Sequence, residues 1–373
     1  MTEAIVNEPL ADRLLALPAI WLRDNCGCLE CRDPHSGQKL LKVTDLPEYV
    51  SIDAIETTEV GFVVSFLPDG HRSEFSNVWL ASRTQSKDPG RSEDAKSLWR
   101  VGDLDPTTQH AHWSAYCDDP EVRLRVLRAI ARFGFALLHG TPVEVGTVLD
   151  VAASFGYVRE TNYGKLFDVR VEANPNNLAF TGAAISPHTD NPYRDPVPTV
   201  QLLHCISNDV EGGESGLVDG FEAAATLRDE DLHAFDILSS TPVTFAWGDA
   251  NTSLHAHRPM IELDPLGQIR SLRFNNRSLQ ALRMAAERLP EYYDAYRHFA
   301  RILDRPELMY EFRLDAGDCV IFDNTRILHA RTAFQESSSG KRHLQGCYAD
   351  LDGLESTITV LERSSSSSPL NSR

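Results

Sequence analysis

The sequence has no basic surplus. Its 54 acidic side chains outnumber 36 Lys and Arg, for a formal net charge of −18. An acidic surface repels phosphate backbones and anionic bilayers, so nucleic acid and membrane are not expected as partners. Long apolar runs are missing too, and none reaches the length of a membrane span. The opening stretch MTEAIVNEPLADRLLALPAIW carries early acids and no basic n-region, so a signal peptide is not expected and a cytoplasmic location is. Cysteine is sparse, with seven residues in 373. In a reducing compartment these read as metal ligands or core residues rather than a disulfide framework. There is no internal repeat. A chain of this length suits one large domain with a small one.

Composition shifts mark the organisation. Residues 1–85 hold a cysteine cluster and strand-like runs such as GFVVSF (61–66), and read as a small N-terminal metal-binding, β-rich domain. Residues 86–112 are polar and broken by Pro and Gly, and read as a linker. Residues 113–360 form the large domain, and the serine-rich 361–373 reads as a disordered tail. PEVRLRVLRAIARF (120–133) has helical spacing with Pro at its first turn, and EYYDAYRHFARIL (291–303) is helical as well. Short strands dominate the rest: GFALLHG (134–140), TVQLLHCI (199–206), IRSLRFN (269–275), YEFRL (310–314), DCVIFDN (318–324) and RHLQGCYAD (342–350). Helices first and then many short strands predict an α+β domain built on a β-sandwich or jelly roll.

Within ISPHTDNPYRDP (185–196), His188 and Asp190 are two residues apart. On a strand, such a pair faces one side, an imidazole beside a carboxylate. DCVIFDNTRILHAR (318–331) is a strand-like run that supplies a further imidazole, His329. Two His and one carboxylate occupy one face of an octahedron and suit Fe(II), leaving three positions open. Thirteen positions after His329 comes Arg342. Its planar fork matches the distal carboxylate of a chelating 2-oxo acid, as a Lys cannot.

NCGCLECRDPHSG (25–37) places Cys26, Cys28 and Cys31 within six residues, a spacing able to wrap three thiolates round one tetrahedral ion. A closed zinc site needs a fourth ligand, for which His35 and His71 are the candidates. His35 follows too closely to span a tetrahedron comfortably. His71, on the turn of an apparent hairpin, can fold back. Tyr163, Phe167 and Phe180 precede the His-x-Asp pair, and Tyr348 shares the strand of Arg342. Such aromatic faces either fill a core or hold a quaternary ammonium by cation–π attraction.

Together, His188-Thr189-Asp190, His329 roughly 140 positions on, and Arg342 resemble the signature of the Fe(II)/2-oxoglutarate dioxygenases. WLRDNCGCLECRDP with DGHRSEF is similar to one branch of that family, the γ-butyrobetaine and trimethyllysine dioxygenases, and the likeness spans roughly residues 20 to 350. The resemblance implies a double-stranded β-helix core. It implies Fe(II) on His188, Asp190 and His329, 2-oxoglutarate on Arg342, and structural zinc on Cys26, Cys28, Cys31 and His71. It also implies an aromatic cage of Tyr163, Phe167, Phe180 and Tyr348 for a trimethylammonium head. Asn177 with Asn275, or the adjacent Asn276, would meet the substrate carboxylate. The implied reaction is hydroxylation of γ-butyrobetaine at C3 to L-carnitine, with succinate and CO2 as co-products, O2 as oxidant, ascorbate as reductant and a homodimeric enzyme. The nearest rival is trimethyllysine, whose α-amino group would want an acidic partner. A non-catalytic jelly-roll scaffold and a cupin-type enzyme without 2-oxoglutarate are the remaining alternatives.

Overall fold

The computed structural model describes residues 10–84, 96–173, 178–335 and 340–366. The chain divides into two compact units, residues 1–93 and 94–373.

The small unit is built on three antiparallel strands, Ser51–Thr57, Gly61–Leu67 and Arg72–Ser76. Alternation along the middle strand turns Phe62, Val64 and Phe66 inward, where they meet Leu14, Leu22, Phe75 and Leu80. The turn between the second and third strands carries His71.

The large unit is built on two main sheets, beside which the described residues form three two-stranded ones. The larger runs His110–His112, Phe135–His139, Cys319–Asp323, Val200–Asn208, Arg342–Ala349 and Phe167–Val169 in spatial order. The smaller runs Met309–Phe312, Ser215–Asp219, Ile327–Arg331 and Ile185–His188. Phe135, Leu137, Val320, Phe322 and Leu344 of the first sheet share one core with Leu217 and Ile327 of the second. Two mostly antiparallel sheets closed on a common core form a jelly-roll sandwich, the α+β class expected. Helix Pro120–Phe133 covers the larger sheet. Helices Gly220–Glu230, Leu232–Ser240 and Leu289–Leu303 pack against Val218 and Leu328 of the smaller.

Local chemistry explains the element ends. Asp119 caps helix Pro120–Phe133 by accepting from the Glu121 N–H, and Pro120 supplies a pre-set first turn. Gly134 ends it at φ 87°, and a Cβ there would come within 2.7 Å of the Ile327 side chain.

Three boundaries differ from the sequence expectation. Of the expected linker 86–112, residues 86–95 lie outside the described residues. The remainder is folded: Trp99 is fully buried, and His110–His112 pairs in parallel with Phe135–His139. One buried indole outweighs a polar composition. The expected tail begins inside helix Leu351–Ser366, because Leu354, Ile358 and Leu361 recur at helical spacing on the core. Residues 367–373 lie outside the described residues. Finally, the run from Cys319 to Arg331 is two strands in different sheets, broken at Asn324-Thr325-Arg326.

Candidate metal centre and substrate cavity

His188 ends an edge strand, where Pro187 is tolerated, and pairs directly across from His329 on the neighbouring strand. This register brings the two rings to 4.1 Å between centroids. Asp190 lies beyond the strand, so strand alternation does not aim it. A loop does. The Asp190 N–H donates to Asn324 Oδ1 at 2.8 Å, and Asn324 Nδ2 donates back to the Asp190 carbonyl at 2.9 Å. The Thr189 N–H donates to the Phe274 carbonyl, and the Phe274 N–H to Thr189 Oγ1. Asn191 completes the bend at φ 54°.

The three candidate ligand groups converge, each offering an atom within 4.8 Å of the others. Asp190 Oδ1 lies 3.4 Å from His188 Nε2, and Oδ2 lies 3.9 Å from His329 Nε2. The His188 Nδ1–H donates to the Ser186 carbonyl at 3.0 Å. A carbonyl can only accept, so this bond fixes the tautomer and leaves Nε2 free to ligate. Gln201 Nε2 and the Tyr348 hydroxyl donate to Asp190 Oδ2 at 2.9 and 3.1 Å. Burial opposes ionisation of Asp190, but its contact with His188 and the charge of His329 outweigh it and hold the carboxyl well below its ordinary range. Burial, reinforced by His188, presses His329 down to about 3, so the ring is neutral at pH 7 and able to bind a cation. Two imidazoles and one carboxylate fit a divalent iron with open positions.

These groups open into a cavity of about 360 Å³, within the range of small-molecule sites. Tyr163, Phe167, Phe180 and Tyr348 all line it. Phe167 stands 5.3 Å from Tyr348 and 6.1 Å from Tyr163 between ring centroids. Two aromatics not singled out from sequence extend the wall: Trp247 is 5.7 Å from Tyr163 and 6.0 Å from Tyr193. Tyr193 sits three residues after Asp190, a proximity that was a usable signal. Trp247 comes from the separate strand Val243–Gly248, and nothing local marks it. Arg342 is buried at the cavity wall and lowered by burial to about 10, still a cation at neutral pH. Arg331 also lines the cavity and donates to the carbonyls of Ala179, Thr181 and Ala183, tying down the segment that bears Phe180.

Asn275 reaches the cavity with its amide largely committed. Its Nδ2 donates to the Thr189 carbonyl at 3.0 Å, and its Oδ1 accepts the Arg277 N–H at 3.1 Å. Asn276 is exposed and does not line the cavity, whereas Arg277, missed from sequence, does. Asn177 lies outside the described residues.

In the small unit, His71 Nε2 stands 3.2, 3.6 and 3.6 Å from the sulfurs of Cys26, Cys28 and Cys31. A tetrahedron with zinc–ligand bonds of about 2.3 and 2.0 Å has a sulfur–nitrogen edge of about 3.5 Å, so the donor set fits that ion. Asp69 holds the group in place, accepting from the His71 N–H and from Arg23 Nε. His35 is exposed and is not part of the cluster.

A jelly roll with two imidazoles, one carboxylate and buried arginines around a single cavity is the framework of an iron- and 2-oxoglutarate-dependent oxygenase. Residues 100–348 match the taurine catabolism dioxygenase TauD, TfdA family, and residues 11–81 match the γ-butyrobetaine hydroxylase-like N-terminal family. The chain is 38% identical to γ-butyrobetaine dioxygenase of Pseudomonas sp. (strain AK-1) over 348 residues, covering 92% of this chain and 90% of that one. It is 32% identical to the human γ-butyrobetaine dioxygenase over 361 residues, covering 93% and 91%. Among solved structures, asparagine oxygenase shares the fold at a TM-score of 0.50 and 18% identity, over 64% of this chain and 82% of that one. The chain belongs to the TauD, TfdA dioxygenase family, in the branch of the γ-butyrobetaine dioxygenases. No described helix is long and apolar enough to cross a membrane.

Proposed function

We propose that the enzyme hydroxylates γ-butyrobetaine at C3 to give L-carnitine. One oxygen atom of O2 enters the substrate C–H bond. The other enters succinate as 2-oxoglutarate loses CO2. The observation that carries this reading is one cavity in which His188, Asp190 and His329 meet an aromatic wall and buried arginines.

His188, Asp190 and His329 would hold Fe(II), which with 2-oxoglutarate supplies the oxidising power for the C–H bond when bound. His188 is presented through Nε2 because its Nδ1–H is donated to the Ser186 carbonyl. Gln201 and Tyr348 donate hydrogen bonds to Asp190 Oδ2 and fix the carboxylate plane. Arg342 would pair with the distal carboxylate of 2-oxoglutarate through its fork. Tyr163, Phe167, Phe180 and Tyr348, joined by Tyr193 and Trp247, would receive the trimethylammonium, which needs π faces and no hydrogen-bond acceptor. Gripping a substrate at both ends selects one C–H among several, since a misplacement of about 1 Å costs about a hundredfold in rate.

Trimethyllysine is disfavoured by charge. Among the described lining residues Asp190 is the lone carboxylate, and it belongs to the metal set, so an α-ammonium group finds no anion. Zinc on Cys26, Cys28, Cys31 and His71 would be structural, because a Cys3His shell leaves no open position. Ascorbate as reductant, a cytoplasmic location and a homodimer complete the reading.

The test is an anaerobic incubation with Fe(II), 2-oxoglutarate and ascorbate, started with air, offering γ-butyrobetaine and trimethyllysine separately. The expected result is a single-oxygen mass gain on γ-butyrobetaine with matching succinate. Gain on trimethyllysine alone would overturn the substrate assignment, and absence of succinate from iron-loaded enzyme would overturn the reaction. His188→Ala should abolish turnover while circular dichroism shows the fold retained.

A further inference from the structure

A guanidinium fork can take a carboxylate in two parallel bonds, but only when its long, rotor-rich stem is held still. Arg342, the proposed anchor of 2-oxoglutarate, has the ring of Phe334 against it. The guanidinium carbon of Arg342 stands 5.5 Å from the Phe334 ring centroid, and that of Arg331 stands 4.8 Å from the same centroid. Both arginines line the cavity, and they are near enough for their charges to repel. The face of an aromatic ring is the negative part of its quadrupole and attracts a cation, more strongly where water is excluded. Phe334 and Arg342 are 7% and 3% exposed, so water is largely excluded here. One ring thus steadies two like charges at one wall of the cavity.

The ring is itself fixed through its backbone. The Phe334 N–H donates to the Gly182 carbonyl at 2.9 Å, and Phe334 pairs across from Gly212 on the short strand Glu211–Gly212. Close approach requires glycine around it. A Cβ at Gly182 would come within 2.4 Å of the Phe334 carbonyl oxygen. One at Gly213 would come within 3.2 Å of both Cδ and Nε of Arg342, and within 3.4 Å of the Phe334 ring. The stem of Arg342 therefore packs on the Gly213 backbone as well as on the ring, and neither contact uses the donors of its fork.

We propose that Phe334 is a positioning residue for the cosubstrate: its π face orients the Arg342 fork toward the distal carboxylate of 2-oxoglutarate, in a slot that Gly213 keeps open. The assignment rests on the reading of Arg342 as the anchor and deepens it. A ring suits this duty better than an aliphatic side chain of similar size. Leucine would fill the same space, but it offers a cation no electrostatic attraction to offset the charge of the neighbouring arginine. A π face also leaves the fork unspent, whereas a carboxylate partner would compete with the cosubstrate for the same donors.

The experiment is anaerobic titration calorimetry on the full-length, iron-loaded enzyme with two probes. These are 2-oxoglutarate and 2-oxovalerate, which shares the chelating end but lacks the distal carboxylate. Phe334→Leu keeps an apolar side chain and removes the π face. It should weaken 2-oxoglutarate binding about 3- to 30-fold and leave 2-oxovalerate at its wild-type affinity. Phe334→Tyr keeps the face and should bind both probes as wild type does. Adding Phe334→Leu to Arg342→Gln should cost nothing further, because the ring then has no fork to orient. Unchanged 2-oxoglutarate binding in Phe334→Leu would overturn the proposal. Equal weakening of both probes would make the role merely structural and overturn it as well, as would a loss in Phe334→Tyr as large as in Phe334→Leu, or a further loss in the double variant. If Arg342→Gln alone keeps the wild-type preference for 2-oxoglutarate over 2-oxovalerate, the anchor assignment on which the proposal rests falls instead.

Discussion

Asn324 shows how a residue outside the proposed ligand set governs it. It is fully buried, and its amide satisfies both backbone groups of Asp190 while also donating to the Pro198 carbonyl. The carboxylate is therefore aimed from a turn more than a hundred residues away in sequence. Asn324→Ala strips the Asp190 N–H of its acceptor in a site with little water to replace it. Residues that orient metal ligands typically control 10- to 100-fold in affinity. Fe(II) binding should weaken by about that factor in Asn324→Ala, measured by anaerobic metal titration, while the melting temperature changes far less than iron affinity. Tyr348 acts at the same scale with two duties, a ring in the aromatic wall and a hydroxyl on Asp190.

Among the elements, the turn Asn324-Thr325-Arg326 carries the most consequence, since it moves the chain from one sheet to the other just before His329. Its anchor is a fully buried ion pair. Arg326 grips Asp219 through two hydrogen bonds of 3.0 and 2.7 Å, with both side chains at 0% exposure. The remaining donors of Arg326 reach the Arg132 and Ser97 carbonyls. Asp219 in turn accepts from the N–H groups of Phe221, at the head of a helix, and of Trp99. Removing one partner leaves the other charge buried alone, which costs about 3–5 kcal/mol. Asp219→Ala should lower the urea midpoint accordingly. Adding Arg326→Met should recover part of that loss, because the stranded charge is gone. An unchanged midpoint in Asp219→Ala would mean that the pair contributes nothing to the join between the sheets.

The whole molecule combines a large unit that builds an extended core with a small one that does not. The small core rests on a handful of side chains from one hairpin-rich sheet and short helices. Units of that size commonly need a metal or a disulfide. The proposed zinc supplies the staple, and its binding energy is folding energy. In the full-length protein, a strong chelator or Cys31→Ser should abolish protection of residues 10–84 against proteolysis. The large unit should keep its protection. Survival of the small unit without metal would reduce the cluster to a dispensable ornament of the fold.

By itself, the sequence determined the chemistry of the two candidate metal-binding groups. His188, Asp190 and His329, and Cys26, Cys28 and Cys31 with His71, were legible because a metal needs particular donors, and donor type is written in the side chain. It also determined the elements with strong periodicity, such as helix Pro120–Phe133, where cap, first-turn proline and terminal glycine agree. The tertiary structure decided whatever depends on two distant segments meeting. Only packing could show that Asp190 is aimed by Asn324 rather than by strand alternation, or that Trp247 joins Tyr163 and Tyr193. Only packing could commit the Asn275 amide to Thr189 and Arg277 and leave a guanidinium facing the cavity. The same cause folded the polar stretch around Trp99 and extended the last helix past residue 360. A residue's donors are fixed by its covalent structure, whereas which partner takes them up is fixed by the neighbours the fold supplies.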